Sequence, residues 1–388
     1  MPGADHPRRR SGPRNLGRPL SSGALAAARV LGRDAPRAEP SPALRADPRV
    51  REETRLRQGA LDGIRVVDLT SYIAGSYAAM MLADLGAEVI KVESREGDPF
   101  RELPGFFGWN RGKRSISVNL KDSEGQAIVH RLVERADVAM ENMRPGVADR
   151  LGIGYERLRA VNPRLIYCSV TAFGGDGPYR DRPGFDPLLQ AMAGVMDLQG
   201  FGGPPQYVRI AVTDYYAAAL AAQGVLAALF VRERTGAGQK VETSLLNAVL
   251  ALQSGNVVDY AGKPSPFRDN PTYRLYRGAD GGYFFLACGN QSFWLKLCQA
   301  LGRHDLADDP RFGSWLARLD HRDALIPLLE ESFARKPCAE WLRLLAAHDI
   351  PCARVQPLTE FMEDPAVNHH GMIRRYHHPE VGSLTMMG

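Results

Sequence analysis

The chain has 388 residues, of which 44% are apolar and 8% aromatic, and its 49 Lys and Arg residues outnumber its 44 Asp and Glu residues to give a net charge of +5. These values are typical of a globular protein with one large or two ordinary domains, and they exclude a disulfide-rich mini-protein and a wholly disordered chain. The excess charge lies in residues 1–60, which hold 13 Arg, no Lys and 6 acidic residues, whereas the remaining residues have a net charge of −2. A nearly neutral body argues against nucleic acid as a partner.

Residues 1–60 contain 8 Pro and 6 Gly but no aromatic residue or Cys. Such a segment buries too little apolar surface to offset the entropy of ordering, so we predict a disordered extension. Its Arg-rich start and the apolar stretch Gly23–Leu31 are also features of a transit peptide. We expect a cytoplasmic protein, or a mitochondrial matrix protein if residues 1–60 act as a transit peptide. No membrane partner is expected, because the longest apolar run, Ala217–Val231, is too short to span a bilayer.

From Leu61 onward the chain alternates between strand and helix patterns. The apolar run Ile64–Leu69 predicts a buried strand, Ala78–Leu85 predicts a helix, and Glu88–Glu93 predicts a second strand. The alternation continues with helices at Ser123–Arg135, Tyr155–Val161 and Tyr215–Arg232 and with strands at Asp137–Glu141, Arg164–Val170 and Gln239–Thr243. This order predicts an α/β fold for residues 61–262, with a Rossmann-like open parallel sheet and helices on both faces.

A smaller α+β domain is expected at residues 270–345. The segments Tyr273–Arg277 and Tyr283–Cys288 flank a Gly-rich turn and predict a hairpin. Helical patterns follow at Ser292–Leu301, Arg322–Ala334 and Ala339–His348. Residues 350–388 return to extended patterns, and we expect them to complete the large domain.

The five Cys residues are widely spaced and form no CxxC pair, which favours reduced thiols over a disulfide framework or a metal site. Several catalytic motifs are also missing. Only Gly75 follows the first strand where a dinucleotide fingerprint requires three glycines, and no P-loop, GxSxG or HExxH motif is present. The sequence thus disfavours a dehydrogenase, an ATP-dependent enzyme and the commonest hydrolases.

Two acidic residues stand out as candidates for chemistry. Asp214 directly precedes an Ala-rich helix, where an Asp is commonly an N-cap. The positive end of the helix dipole is also expected to keep such a carboxylate ionised, and an ionised carboxylate can attack a thioester or phosphoryl group. Asp186 lies in the segment Arg182–Pro187, and its role as a structural or a substrate-binding residue stays open.

Several motifs together resemble the class III CoA-transferases, which include carnitine, formyl-CoA and succinyl-CoA:dicarboxylate CoA-transferases and are related to α-methylacyl-CoA racemase. The resemblance runs from Leu61 to the last residue. It rests on the segments Leu61–Thr70, Gly86–Glu93, Asn110–Ile116, Glu141–Gly146 and Thr235–Gln239.

The resemblance implies that Asp214 is the catalytic nucleophile, which passes CoA to an acid through an aspartyl anhydride and an aspartyl-CoA thioester. CoA is then a substrate, as acyl-CoA, and no permanently bound cofactor or metal is expected. A small dicarboxylate such as succinate or glutarate is the expected acid. Loop residues expected near the substrate are Phe185, Gly202, Gly203, Gly289, Asn290 and Gln291.

By position in the family motifs, eight residues are expected to contact CoA. They are Ala74, Arg95, Arg114, Val118, Lys121, Asn142, Met143 and Arg150. Arg95 stands in for an Arg that often follows the second strand in the family, where this chain has Ser94.

An α-methylacyl-CoA racemase is the close alternative, because it uses the same fold and CoA site. The racemases have a His where this chain has Phe185, and a phenyl ring cannot exchange a proton. A non-catalytic CoA-binding protein is a further alternative, which the presence of Asp214 disfavours. The family also implies a homodimer of two interlocked ring-like chains. Relatives continue beyond the position of Gly388, so we expect the C-terminal end to be incomplete.

Overall fold

The structure is a computed structural model that describes residues 59–200, 203–258 and 269–388. The predictions for residues 1–58 and for Gly202 therefore lie outside the described residues. The large sheet has six strands: β1 (Arg65–Asp68), β2 (Glu88–Glu93), β3 (Lys113–Ser117), β4 (Val138–Glu141), β5 (Ile166–Thr171) and β6 (Lys240–Ser244).

All six strands are parallel, in the order β3-β2-β1-β4-β5-β6. This is the strand order of the doubly wound Rossmann fold. The predicted Rossmann-like sheet is therefore confirmed. The strand order reverses between β1 and β4, where Val66 pairs with Val138, and ligands of such sheets bind outside the carboxyl ends of the strands at this point.

Helices cover both faces of the sheet because successive strand residues point to opposite sides. Val66 and Met140 belong to one apolar core, whereas Val67 and Ala139 belong to the core on the other face. The helices of this region are α1 (Ala74–Asp84), α2 (Gly105–Asn110), α3 (Ser123–Val133), α4 (Val147–Arg150), α5 (Tyr155–Val161), α6 (Asp186–Met192), α7 (Val195–Gln199), α8 (Val212–Thr235) and α9 (Leu245–Leu252).

Helix α8 is long and apolar enough to cross a membrane by length and composition alone, a test that core helices also pass. In this fold it packs against α1, β5 and β6. Small residues make that close approach possible, since Ala217, Ala218 and Ala221 are fully buried and a Cβ added at Gly224 would lie 2.6 Å from a side-chain carbon of Val241.

A second core lies in a separate antiparallel sheet of three strands, β7 (Tyr273–Arg277), β8 (Tyr283–Ala287) and β9 (Cys352–Arg354). The hairpin predicted from the sequence is confirmed, with Tyr276 opposite Phe284. Packed with it are α10 (Gln291–Leu301), α11 (His304–Asp308), α12 (Trp315–Asp320), α13 (Arg322–Phe333) and α14 (Cys338–Ala347). The five cysteines are free thiols, as predicted.

The C-terminal segment divides between the two parts of the fold. Strand β9 pairs with β8 in the small sheet, so the return toward the large domain that was predicted from residue 350 begins only after this strand. Two short helices follow, α15 (Leu358–Phe361) and α16 (Pro365–His369), and then an antiparallel hairpin of β10 (Ile373–His378) and β11 (Gly382–Met387). This hairpin contacts α2, where the His378 ring packs against Phe107 at 5.2 Å.

Candidate active site

A cavity of about 660 Å³ opens at the carboxyl ends of β1, β4 and β5, which is the edge where the strand order reverses. Ligand sites of open α/β sheets lie in this position. Six residues singled out from the sequence line this cavity, namely Ala74, Asn142, Met143, Phe185, Asp186 and Asp214. The fold thus brings the predicted nucleophile and three of the eight predicted CoA contacts to one site.

Asp214 lies in the first turn of α8 but is not its N-cap. The helix begins at Val212, two residues before Asp214, and Ala211 occupies the cap position. The backbone N–H of Thr213 is instead satisfied by Asp186, whose Oδ2 accepts it at 2.8 Å. The N-cap prediction for Asp214 is therefore wrong, because a carboxylate from another helix supplies the cap.

This arrangement leaves the carboxyl group of Asp214 available. Among the described residues none forms a hydrogen bond with it, and it faces the cavity. Burial, and secondarily the negative charge of Asp186, raise the pKa of Asp214 to about 7. The expectation that the helix dipole keeps Asp214 ionised is therefore wrong near neutral pH, where the carboxyl group exists in both forms. A carboxylate with a raised pKa is a stronger nucleophile than an ordinary one.

Asp186 is a positioning residue in this structure. It is buried, and its Oδ1 accepts a hydrogen bond of 2.6 Å from Nε2 of Gln190, one helical turn along α6. The same Gln190 nitrogen donates to the carbonyl oxygen of Val208 at 3.1 Å. Asp186 and Gln190 together therefore connect α6, the segment before α8 and the first turn of α8. The spacing of Asp186 and Gln190 on one helix face was the available sequence signal for this role.

The loop after β1 is fixed by side chains rather than by regular secondary structure. Oδ1 of Asp68 accepts the backbone N–H of Thr70 at 2.9 Å, and Nζ of Lys91 donates to the carbonyl oxygen of Thr70 at 2.8 Å. The next residue, Ser71, donates its N–H to Oδ1 of Asn142 at 2.9 Å and accepts from Nδ2 of Asn142 at 2.7 Å. All four backbone polar groups of Thr70 and Ser71 are thus satisfied by three side chains.

Tyr72 follows this fixed segment and has a left-handed backbone conformation with φ of 63°. For a bulky residue this conformation is unusual and costs on the order of 1–3 kcal/mol. Its ring packs edge-on against Phe100 at 5.0 Å and against Phe185 at 5.6 Å between ring centroids. All three rings line the cavity. We refer to Tyr72, Phe100 and Phe185 as the aromatic wall.

A buried charge network supports the same loop. Lys113 Nζ donates to Oδ2 of Asp68 at 2.8 Å, and Lys91 Nζ lies 3.1 Å from Oδ2 of Asp98. Burial alone would raise the pKa of Asp68, but the charges of Lys113 and Lys91 outweigh it and hold this pKa below its ordinary value. Burial lowers the pKa of Lys113 despite its pairing with Asp68. Asp68, Lys91 and Lys113 each come from a different family motif, so these motifs contribute internal support to the fold.

The other predicted CoA contacts lie away from the cavity lining. Arg114 is exposed on β3 and pairs with Glu88, while Val118 is buried in the apolar core beside α3. The remaining three are exposed side chains: Arg95, Lys121 and Arg150. Contact between CoA and these five residues stays a prediction.

Of the loop residues predicted to lie near the substrate, Phe185 lines the cavity and the other described ones do not. Gly203 is exposed and does not line the cavity. Gly289, Asn290 and Gln291 lie in the small domain, where Asn290 caps α10 by accepting the N–H of Phe293 at 2.8 Å. Gln291 accepts a hydrogen bond of 2.9 Å from the buried Arg318. Local hydrogen bonding accounts for Asn290 and Gln291, and their contact with substrate stays a prediction.

Sequence reasoning missed three cations that line the cavity, namely Arg144, Arg180 and Arg182. The Arg182 guanidinium lies over the ring of Tyr179 at 4.0 Å, and Arg180 lies 3.7 Å from the carboxylate of Asp181. The signal was present in the sequence, because Arg144 belongs to the Glu141–Gly146 motif. All three are exposed, so they place positive charge near the mouth of the cavity.

Comparison with known proteins gives a consistent result. The family model described as CoA-transferase family III matches residues 61–388. The Succinyl-CoA--D-citramalate CoA-transferase of Chloroflexus aurantiacus is 36% identical over 346 residues, which cover 84% of this chain and 86% of that protein. The Succinyl-CoA:glutarate CoA-transferase of Mus musculus is 34% identical over 346 residues, covering 84% and 79%. The crystal structure of Rv3272 from Mycobacterium tuberculosis matches with a TM-score of 0.77 at 33% identity, covering 85% of this chain and 91% of that chain.

Proposed function

The chain belongs to CoA-transferase family III, and we propose that it moves CoA from an acyl-CoA thioester to a carboxylic acid with Asp214 as the covalent nucleophile. The observation that carries this proposal is the state of the Asp214 carboxyl group. It faces a cavity of about 660 Å³, has a pKa raised to about 7 and forms no hydrogen bond with the described residues.

The proposed reaction has four steps, and each exchanges one acyl bond for another. The Asp214 carboxylate attacks the thioester carbonyl carbon, and the carbon–sulfur bond breaks to leave an acyl-aspartyl anhydride and CoA thiolate. The thiolate attacks the aspartyl carbonyl carbon and releases the first acid as a carboxylate. The acceptor carboxylate then attacks the aspartyl-CoA thioester to form a second anhydride and free thiolate. Attack of the thiolate on the acceptor's carbonyl yields the new acyl-CoA and restores Asp214.

Two features of the cavity support this series of reaction steps. Anhydride intermediates hydrolyse unless water is kept away. The aromatic wall gives the cavity an apolar side, and Asp214 is partly buried. The free energy of the thioester bond is conserved in the covalent intermediates, so the reaction needs no ATP. This agrees with an amino-acid sequence that contains no P-loop motif.

A small dicarboxylate is the proposed acid. The relatives from Chloroflexus aurantiacus and Mus musculus are named for transfer between succinyl-CoA and D-citramalate or glutarate. The guanidinium groups of Arg144, Arg180 and Arg182 supply cations at the same cavity, and arginine is well suited to binding carboxylates and phosphates. They are therefore proposed to hold anionic groups of the two substrates, either the distal carboxylate or the phosphates of CoA.

We also propose that the protein is a homodimer. Large apolar side chains remain more than one third exposed on three adjoining helices, Leu188 and Met192 on α6, Phe230 on α8, and Leu246 and Leu250 on α9. Exposed apolar side chains on adjoining helices are typical of a protein interface. A second copy of the chain, interlocked as in the family, is the proposed partner.

The experiment that tests the function is a transfer assay with succinyl-CoA and glutarate, in which glutaryl-CoA is followed by mass spectrometry. Wild-type protein is expected to form glutaryl-CoA without ATP. Asp214→Ala is expected to abolish transfer, whereas Asp197→Ala, a matched change at an exposed aspartate of α7, retains it. Transfer at the wild-type rate by Asp214→Ala would overturn the proposal.

A further inference from the structure

The aromatic wall is part of a longer row of aromatic rings. Phe185 contacts Tyr72, Tyr72 contacts Phe100, and Phe100 lies 5.9 Å from Trp109. The indole N–H of Trp109 donates to the hydroxyl group of Tyr215 at 3.1 Å. Tyr215 directly follows Asp214 in the chain. The row therefore extends from the N-cap of α6 to the first turn of α8, and its first three rings line the cavity.

Tyr72 is the central ring of the wall and the only one that contacts both Phe100 and Phe185 among the aromatic pairs of the described residues. Its position is set by its backbone, which is left-handed. The side chains that satisfy Thr70 and Ser71 fix the segment that leads into it. Strain of this kind persists only where the surroundings over-determine a conformation, and it concentrates at functional sites.

The chemistry of the wall indicates what it contacts. Three aromatic rings offer an apolar surface in the same cavity as the Asp214 carboxyl group, and Phe185 is 52% exposed. CoA brings its own anionic and polar groups, which suit the arginines. Of the substrate groups bonded to the attacked carbonyl carbon, the hydrocarbon part of the acyl group is the one that suits the rings.

We propose that Tyr72 is a specificity-determining residue, whose ring limits the length of the carbon chain that fits between the aromatic wall and Asp214. The enzyme then selects short acyl-CoAs and short acids over longer ones. This inference rests on the proposed function, and it assigns the selection to the ring of Tyr72 rather than to its hydroxyl group.

The test compares kcat/KM for succinyl-CoA with that for adipyl-CoA, whose chain is two methylenes longer. Because the CoA portion is the same in both donors, an effect on CoA binding cancels in the ratio. Tyr72→Gly is expected to raise the adipyl-to-succinyl ratio by about 10-fold or more, since one methylene in an apolar pocket is worth roughly 10- to 200-fold in discrimination. Tyr72→Phe keeps the ring and is expected to leave the ratio within about twofold of the wild-type value.

Glycine is the appropriate replacement because it adopts positive φ readily, so the backbone of the loop is preserved. Thermal unfolding checks that the variant is folded. If Tyr72→Gly does not fold, Phe100→Leu opens the wall beside Tyr72 and is expected to shift the ratio in the same direction.

Two results would overturn the inference. One is an unchanged ratio in a folded Tyr72→Gly protein that still transfers CoA. The other is a shift in Tyr72→Phe as large as that in Tyr72→Gly. Both differ from a failure of the proposed function, in which wild-type protein transfers CoA to none of the acids.

Discussion

Asp186 accepts the backbone N–H of Thr213 at 2.8 Å and so caps the helix that carries Asp214. The carboxyl groups of Asp186 and Asp214 therefore have different roles. Asp186 is occupied by hydrogen bonds from Thr213 and Gln190, whereas Asp214 is left facing the cavity with a pKa raised by burial and by the Asp186 charge. Catalytic sites commonly contain two acidic residues whose different surroundings give them different roles.

The first prediction concerns the pH dependence of transfer. Attack requires the carboxylate form of Asp214, so kcat/KM is expected to rise with pH through a midpoint of about 7. Asp186→Asn removes the neighbouring negative charge and is expected to move this midpoint to lower pH. Asp197→Asn, at an exposed position on α7, is the control and keeps the midpoint. A profile for Asp186→Asn that coincides with the wild-type profile contradicts this assignment.

The second prediction concerns stability. The pKa of Asp214 is raised in the folded protein from 3.8 to about 7, so the folded state binds the proton more tightly than the unfolded state. Wild-type protein should therefore lose stability as pH rises between these values. Asp214→Asn carries no such charge and is expected to be more stable than wild type at about pH 8, by up to about 4 kcal/mol at about 1.36 kcal/mol per pKa unit. Urea unfolding at several pH values measures the difference.

That stability difference should shrink as the pH is lowered from about 7 and should vanish only below the unfolded-state pKa of 3.8, where wild-type Asp214 is protonated in both states. A difference independent of pH would mean that Asn gains stability through packing rather than through the loss of a buried charge.

The third prediction concerns the buried charge network. Lys113→Met leaves Asp68 without its closest cation in a fully buried site and is expected to cost about 3–5 kcal/mol. The neighbouring Arg114→Met removes an exposed ion pair with Glu88 and is expected to cost less than about 1 kcal/mol. Chemical denaturation of both variants provides the comparison, and similar losses for the two would show that the network contributes little.

The fourth prediction concerns the racemase alternative. Phe185 occupies the cavity wall and supplies no group that exchanges a proton. Wild-type protein is therefore expected to incorporate no solvent deuterium at the α-carbon of a branched acyl-CoA under conditions that support CoA transfer. Deuterium incorporation at a rate comparable to transfer would favour the racemase instead.

The sheet was largely predictable from the sequence, because its central strands are short apolar runs separated by helices of ordinary length. The edge strand β3 was not predicted as a strand, since four of its five residues are exposed and it lacks an apolar run. The true start of α8 was also missed, because its cap is Asp186, which lies 27 residues before Thr213 in the chain.

The candidate site was predictable only in part, for a related reason. Asp214, Asn142 and Phe185 were found through motifs that the fold brings together at one sheet edge. The charges of Lys91 and Lys113 are used inside the protein, and sequence alone does not distinguish a buried lysine from one that binds a ligand. The strained conformation of Tyr72 has no sequence signature, because it depends on contacts from β2 and from the loop after β4.

The most direct test of the central claim is the detection of a covalent adduct at Asp214. Protein incubated with succinyl-CoA alone and then treated with hydroxylamine is digested and analysed by mass spectrometry. An anhydride or thioester at Asp214 reacts to give a hydroxamate, so the account predicts this modification on the Asp214 peptide in wild-type protein and its absence in Asp214→Asn. An unmodified Asp214 peptide from protein that is transferring CoA, or a hydroxamate at another carboxylate, would contradict the account.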